Sequence, residues 1–311
     1  MNKIIAIKDL KNNEVPEKLK REYYFDFNAY PFEHKKLFGI KNNIVETVYE
    51  IGNYVKQWLK DTIDSKVPFR KAFRISDKNI NVSGKFEVFL EKDVLFKPAN
   101  IIGKVNDDDR THRIYIEKGV SIFGGNLFLD KGDIYIGENS IIEPGIGIKG
   151  PAIIGKKTII RQGAYLRGNT IIGNECILRG EIKNAVMLDK ANFSHPSYVG
   201  DSICGYQSHF GNQATTANLG IFEGIRDKNK RKNIILRIAG KLYDTGKSKL
   251  GIILGDFSQV GCNSVSDPGV FLAPYTIVYS LTQIQKGFYG PKEILKNKAF
   301  EKGIIEISAL K

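Results

Sequence analysis

Cysteine is scarce. The chain holds three cysteines in 311 residues, Cys176, Cys204 and Cys262, and no two of them form a CxxC pair. That excludes a disulfide-stapled scaffold, and with small and apolar neighbours the three thiols are expected to be core groups in a reducing compartment. Long apolar runs are also missing. The opening MNKIIAIKDLKNNE returns to charge after a short apolar run, too soon for a secretory signal, and no segment nears the roughly 20 apolar residues of a membrane span. The expected setting is therefore cytoplasmic, without a membrane partner. With 4 histidines and no close pair among them, a metal cofactor is not expected. In the most basic stretch, 220–250, few aromatics interleave with the cations, which argues against a nucleic-acid partner.

What is abundant is positive charge and aliphatic residues in short pieces. The 47 Lys and Arg exceed the 34 Asp and Glu, giving a formal net charge of +13. Such a balance favours anionic ligands, or equally a solvated basic surface, because the lysines are spread along the whole chain. Residues 1–80 differ from the rest. Ile44, Val45, Val48, Ile51, Val55, Trp58, Leu59 and Ile63 recur at helical spacing with Asn42 or Asn43 able to cap the start, which predicts an amphipathic helix over 43–63. The aromatic run before it, EYYFDFNAYPFEHKKLF, reads as packing against a neighbouring body rather than as a ligand surface.

From about residue 80 the pattern changes to β-rich pieces broken by Gly, Asn and Asp. Ile136, Ile142, Ile148, Ile154, Ile160, Leu166, Ile172 and Leu178 sit six apart without a slip, and four residues after each comes a mostly small one: Ser140, Ile146, Ala152, Thr158, Ala164, Thr170, Cys176. A strand repeats every two residues and a helix every 3.6, so a period of six specifies a coil of short strands and tight corners whose inward residues stack. Leu254, Val260, Ser266, Leu272, Val278 and Ile284 resume the phase, and Ile116, Ile122, Phe128 and Ile134 form an earlier run offset by two. The expected fold is mainly β: a left-handed parallel β-helix of hexapeptide repeats over 81–290, a short N-terminal helical segment in 1–80, an extruded basic loop at 220–250 and a C-terminal tail at 291–311.

Loops that leave a regular coil carry function, and a polar interruption at 181–218 holds His195 and His209 among Lys183, Tyr198, Asp201 and Asn218. An imidazole titrating near neutral pH suits a general base that takes a proton from an attacking amine or hydroxyl.

The segments RQGAYLRGN (161–169), EIKNA (181–185), SHPSYVGDSICG (194–205), TTANLG (215–220) and VGCNSVSDPGVFLAPYTIVY (260–279) resemble the β-helix domain of bifunctional N-acetylglucosamine-1-phosphate uridyltransferase/glucosamine-1-phosphate acetyltransferase, and more closely the β-helix half of related sugar-1-phosphate nucleotidyltransferases. The resemblance implies a left-handed coil, a homotrimer, and transfer from acetyl-CoA to an amino-sugar phosphate. It makes His195 the catalytic base and Asn218 a catalytic neighbour. Arg161 and Lys183 become phosphate-binding cations, Tyr198 and His209 substrate contacts, and Gly211, Asn212 and Ala214 the place where the acyl carrier sits. The chain departs from the family at Gly211, Asn212, Gln213 and Ala214, which stand for Gly-Ala-Gly-Thr, and at Leu219, Gly220 and Ile221, which stand for Tyr-Asp-Gly. The nucleotidyltransferase half is expected to be absent, since residues 1–80 carry no Gly-rich phosphate loop.

Three functional readings follow. The first is an acyltransferase using acetyl-CoA on a phosphorylated or nucleotide-linked sugar. The second is a non-catalytic sugar-phosphate-binding or regulatory scaffold, favoured by the bulkier residues at 212–214. A metal-dependent hydratase, the third, needs three convergent histidines, and only His112, His195 and His209 are available.

Overall fold

Between residues 134 and 178 the six-residue spacing closes into a coil of 18: Ile134, Tyr135 and Ile136 pair in parallel with Ala152, Ile153 and Ile154, and these with Thr170, Ile171 and Ile172. The structure is a computed structural model that describes residues 4–69, 82–97, 99–103, 111–220, 227–297 and 305–309. It is mainly β, with parallel strands of mostly two or three residues stacked coil on coil as a left-handed β-helix, and one α-helix, Ile44–Lys66. Every rung of the ladder from Ile136 to Leu178 is fully buried.

The small residues between rungs have a specific task. Ser140 Oγ donates to the Gly155 carbonyl at 2.7 Å and accepts from the Thr158 N–H at 3.0 Å; Thr158 Oγ1 repeats this one coil on, with Gly173 and Cys176. Each buried hydroxyl thus satisfies backbone groups that the corner would otherwise strand. Asn139, Lys157 and Glu175 occupy equivalent corner positions at φ 58, 53 and 56°, a left-handed bend that turns the chain onto the next face.

The chain divides into two compact units, one of residues 51–196 and one of 1–50 with 197–311. In the first, three inward columns run Ile116–Ile136–Ile154–Ile172–Met187, Ile122–Ile142–Ile160–Leu178–Phe193 and Leu127–Ile148–Leu166–Ile182. The apparent two-residue offset of the earlier run arises because that coil is longer, pairing Ile116 with Ile136 and Ile122 with Ile142. Its third rung is Leu127, fully buried, rather than Phe128, which is half-buried. The later turns of the helix pack on this unit. Trp58 meets Tyr135 edge to face at 5.1 Å, and Lys66 Nζ lies 2.6 Å from Glu117 Oε1. Burial raises the Glu117 pKa, but hydrogen bonds from Lys66, Tyr135 and the Glu138 N–H outweigh it and hold the carboxyl below its usual range.

In the second unit the columns are Cys204–Leu254–Leu272–Tyr289, Phe210–Val260–Val278–Leu295 and Thr216–Ser266–Ile284. The basic stretch folds into a hairpin, Ile235–Ile238 against Lys241–Asp244, whose two turn residues Ala239 and Gly240 have φ 46 and 78°, the signs a type I′ turn requires. Ile4–Ala6 adds a parallel third strand. Arg226 and Glu223 of that stretch lie outside the described residues. Asn43 caps the helix, its Oδ1 accepting from the Glu46 N–H at 2.9 Å. The aromatic run is packing, as expected: Tyr24, Phe25, Phe32 and Phe38 are buried, and Tyr30 stacks on Tyr206 at 4.3 Å. Glu293–Asn297 pairs with Ile277–Val278 and with Ile305–Ala309. No helix among the described residues is long and apolar enough to cross a membrane.

One thiol departs from expectation. Cys176 and Cys204 are buried, and burial pushes both pKa values up, whereas Cys262 is exposed. It stands two places after the inward Val260 on an outward corner.

Two buried groups of this second unit titrate in opposite senses. Burial lowers His34 to about 4 and raises Asp256 to about 6. Below pH 6.5 the unfolded chain protonates His34 while the folded chain resists, so its contribution to stability is lost as pH falls towards 4. Asp256 is protonated more readily when folded than its ordinary value near 4 allows, so its contribution is gained as pH falls from 6. Each amounts to about 3 kcal/mol. Relative to wild type, His34→Gln should therefore fare better at pH 4.5 than at pH 7, and Asp256→Asn worse, in thermal unfolding. Differences from wild type that do not change with pH would contradict both assignments.

Candidate functional site

Coil register decides which polar side chains share a face. In the unit of residues 51–196, Ile148, Leu166 and Ile182 form one inward column, so the residues that follow them, Lys149, Arg167 and Lys183, stand in one outward column. Arg167 lies directly beneath Lys183, its N–H donating to the Ile182 carbonyl at 2.8 Å. Glu181 Oε1 holds the Arg167 guanidinium at 2.5 Å, and Asp130 pairs with Lys149 at 2.8 Å.

Arg161 belongs elsewhere. It follows Ile160, in the column of Glu143, Arg179 and Ser194. Its Nη1 donates to the Ser194 carbonyl at 3.3 Å, across two coils. His195 is next in the chain, exposed, in the bend after the strand Asn192–Phe193. The structure thus sets Arg161 against the segment that carries His195, and Arg167, not Arg161, in register with Lys183. Sequence spacing missed Arg167 because the coil shortens here: Leu166 pairs with Ile182, 16 residues on, where the coils below take 18.

In the other unit a polar cluster forms around Gly200. A Cβ there would lie 2.6 Å from Tyr198 Oη and 2.8 Å from Asn218 Nδ2, so only glycine leaves both groups in place. Asn218 Nδ2 donates to Asp201 Oδ2 at 2.5 Å, and Asp201 is itself buried at φ 50°. His209 is half-buried on the strand His209–Phe210, which pairs with Gln259–Val260.

Gly211 to Ala214 form a coil corner, the Ala214 N–H donating to the Gly211 carbonyl at 3.2 Å. A Cβ on Gly211 would strike the backbone of Cys262 at 2.6 Å, and the Ala214 side chain points into the core. Of the four, Asn212 and Gln213 present side chains to solvent. Among the described residues no group of three or more His, Cys, Asp or Glu could hold a metal ion, and His112 Nδ1 faces Asp133 at 3.2 Å.

No protein-family model matches the chain. Over 99 residues, 32% of its length, it is 33% identical to the bifunctional sugar-1-phosphate nucleotidylyltransferase/acetyltransferase of Sulfurisphaera tokodaii, covering 23% of that protein. Over 98 residues it is 35% identical to the bifunctional protein GlmU of Methanococcus maripaludis, covering 22% of it. It is 31% identical over 96 residues to the uncharacterized acetyltransferase YaiX of Escherichia coli O6:K15:H31, covering 38% of it. The matched segment spans less than a quarter of the two bifunctional proteins and under two fifths of the third.

A phosphate bound on this column would accept a charge-assisted hydrogen bond from each cation, worth about tenfold or more in its affinity. Lys183→Ala and Arg167→Ala should each weaken sugar-phosphate binding by about that factor, more at low salt than at high salt. Arg161→Ala should leave the affinity near wild type. Calorimetric titration in which Arg161→Ala is the damaging variant would contradict the register argument.

Proposed function

We propose that the protein is an acyltransferase that moves an acetyl group from acetyl-CoA to an amine or hydroxyl of a phosphorylated or nucleotide-linked sugar. The observation that carries this reading is the segmental likeness to two proteins whose names include acetyltransferase, those of Sulfurisphaera tokodaii and Escherichia coli O6:K15:H31, on a coil that keeps Lys183 and Arg167 in one column. An Arg fork and a Lys point charge suit a phosphate, and the solvent-open His195 suits a base.

In this reading His195 takes the proton from the acceptor as its nitrogen or oxygen attacks the thioester carbonyl. The tetrahedral intermediate collapses with cleavage of the C–S bond, and the imidazolium returns the proton to the departing CoA thiolate. Backbone N–H groups steady the oxyanion. Arg161 acts as a positioning residue, bracing the Ser194 carbonyl and so the bend that carries His195. Asn218, held by Asp201, offers Oδ1 to a donor on the substrate, and Tyr198 a hydroxyl. A homotrimer, implied by the family resemblance of the sequence, belongs to the same proposal.

The scaffold reading is favoured by Asn212 and Gln213, whose side chains stand on the corner that the likeness gives to the acyl carrier. Turnover separates the two. With acetyl-CoA and a panel of amino-sugar phosphates and nucleotide sugars, His195→Ala should release CoA about 10²–10⁴-fold more slowly than wild type while keeping substrate affinity and fold. Equal rates in both would exclude His195 as the base. Absence of turnover and of CoA binding in the wild type would leave the scaffold.

A further inference from the structure

The unit of residues 51–196 holds a cavity of about 360 Å³, lined by the helix at Lys56 and Leu59, by His112 at the start of the strand His112–Ile116, and by the segment 130–133. That is the small end of the roughly 300–1,000 Å³ of small-molecule sites. Its lining shares no residue with the Lys183 and Arg167 column or with His195.

Coil register builds its acidic part. Ile114 pairs with Ile134, which sets Arg113 level with Asp133. The Asp133 carboxylate is buried and accepts from the Arg113 N–H at 2.9 Å, with Arg113 Nη2 at 3.4 Å. The same carboxylate faces His112 Nδ1 at 3.2 Å. An ionised carboxylate only accepts, so Nδ1 carries the hydrogen, and in the neutral ring Nε2 is the acceptor. The imidazole is 11% exposed, and Nε2 makes no hydrogen bond among the described residues. On the same lining, Asp130 Oδ2 pairs with Lys149 at 2.8 Å while its Oδ1 is buried without a hydrogen-bond partner. Two acceptors thus remain unmade, where folding normally satisfies such groups.

The cavity also carries Lys56 and Lys131, both exposed, and among the described residues neither forms an ion pair with Asp130, Asp133 or any other acid. Cations and acceptors that share a lining without reaching one another suit a ligand that brings both an anion and a donor cation. A dianion would meet the two aspartates, and a cation alone would leave the lysines unmatched. The apolar part, Leu59 and Pro151, is small, so the rest of the ligand is compact.

We propose that this cavity binds a small α-amino acid as its zwitterion, with the carboxylate on Lys56 and Lys131 and the ammonium on His112 Nε2 and the Asp130 carboxylate. Asp133 is a positioning residue that holds the imidazole in the tautomer this needs. The proposal does not rest on acyl transfer.

The test is calorimetric titration of the full chain with each of the protein α-amino acids in turn. At least one should bind saturably at or below millimolar concentration. Its analogue without the amino group and its analogue without the carboxylate should each bind about tenfold or more weakly, because each loses charge-assisted hydrogen bonds. Lys131→Gln and Asp130→Asn should each weaken the amino acid by about the same factor, with thermal unfolding near that of wild type, and His195→Ala should leave its binding unchanged. These two side chains are partly open to solvent, so the test does not depend on replacing the buried His112. Binding of no amino acid at millimolar concentration, binding that survives Lys131→Gln and Asp130→Asn together, or an analogue without the amino group that binds as tightly as the amino acid would overturn the proposal. Failure of acyl transfer shows instead as absence of CoA release, with amino-acid binding intact.

Discussion

The constraint on which the rest depends is parallel stacking in register: each coil must place its inward side chain on that of the coil before it. Ile154 between Ile136 and Ile172 is the simplest case. The aliphatic columns contribute the burial, and a fully buried Ile or Leu contributes about 1.5–3 kcal/mol over an exposed one. Stacking alone would strand backbone groups at the corners. Ser140, Thr158 and Ser258 prevent that by bridging consecutive coils. Residue size and hydroxyl chemistry are therefore selected together.

The same constraint arranges the surface. A coil that loses or gains residues at a corner keeps its inward rungs aligned and shifts which outward side chains face one another. The shortened coil between Leu166 and Ile182 brings Arg167 under Lys183, and the lengthened one between Ile116 and Ile136 makes the early ladder look out of phase. Between Cys204 and Leu254 a whole hairpin is inserted without breaking the column. Cations and the part-buried Asp201–Asn218 pair thus sit where they do because corners vary and rungs do not.

That division explains what could be read from the sequence. The ladder from Ile136 to Leu178 and the helix now seen at Ile44–Lys66 were legible because burial repeats with a fixed period in each. The packing role of the aromatic run before the helix was legible from its place beside an amphipathic helix, not from a period. Candidate residues at 181–218 could be named from residue type and family likeness. Their companions could not. Arg167 was hidden because counting back by eighteen from Lys183 lands on Tyr165. Leu127 was mistaken for Phe128 because a long coil shifts the phase. Cys262 looked internal because its neighbours are small, although its place two residues after Val260 turns it outward. The cavity beside His112 depends on how the helix meets the coil, which no local pattern records.

Register can be measured without assuming any activity. Parallel neighbours in adjacent coils lie about 4.8 Å apart, inside the span of roughly 4.4–6.8 Å that a disulfide tolerates between Cα atoms. With the exposed Cys262 replaced by Ser, a variant carrying Arg167→Cys and Lys183→Cys should form an intramolecular disulfide on mild oxidation. The Arg161→Cys, Lys183→Cys variant should keep two free thiols at those positions. Mass spectrometry of the peptides after digestion distinguishes the outcomes, and a disulfide between positions 161 and 183, with none between 167 and 183, would contradict the register on which the account rests.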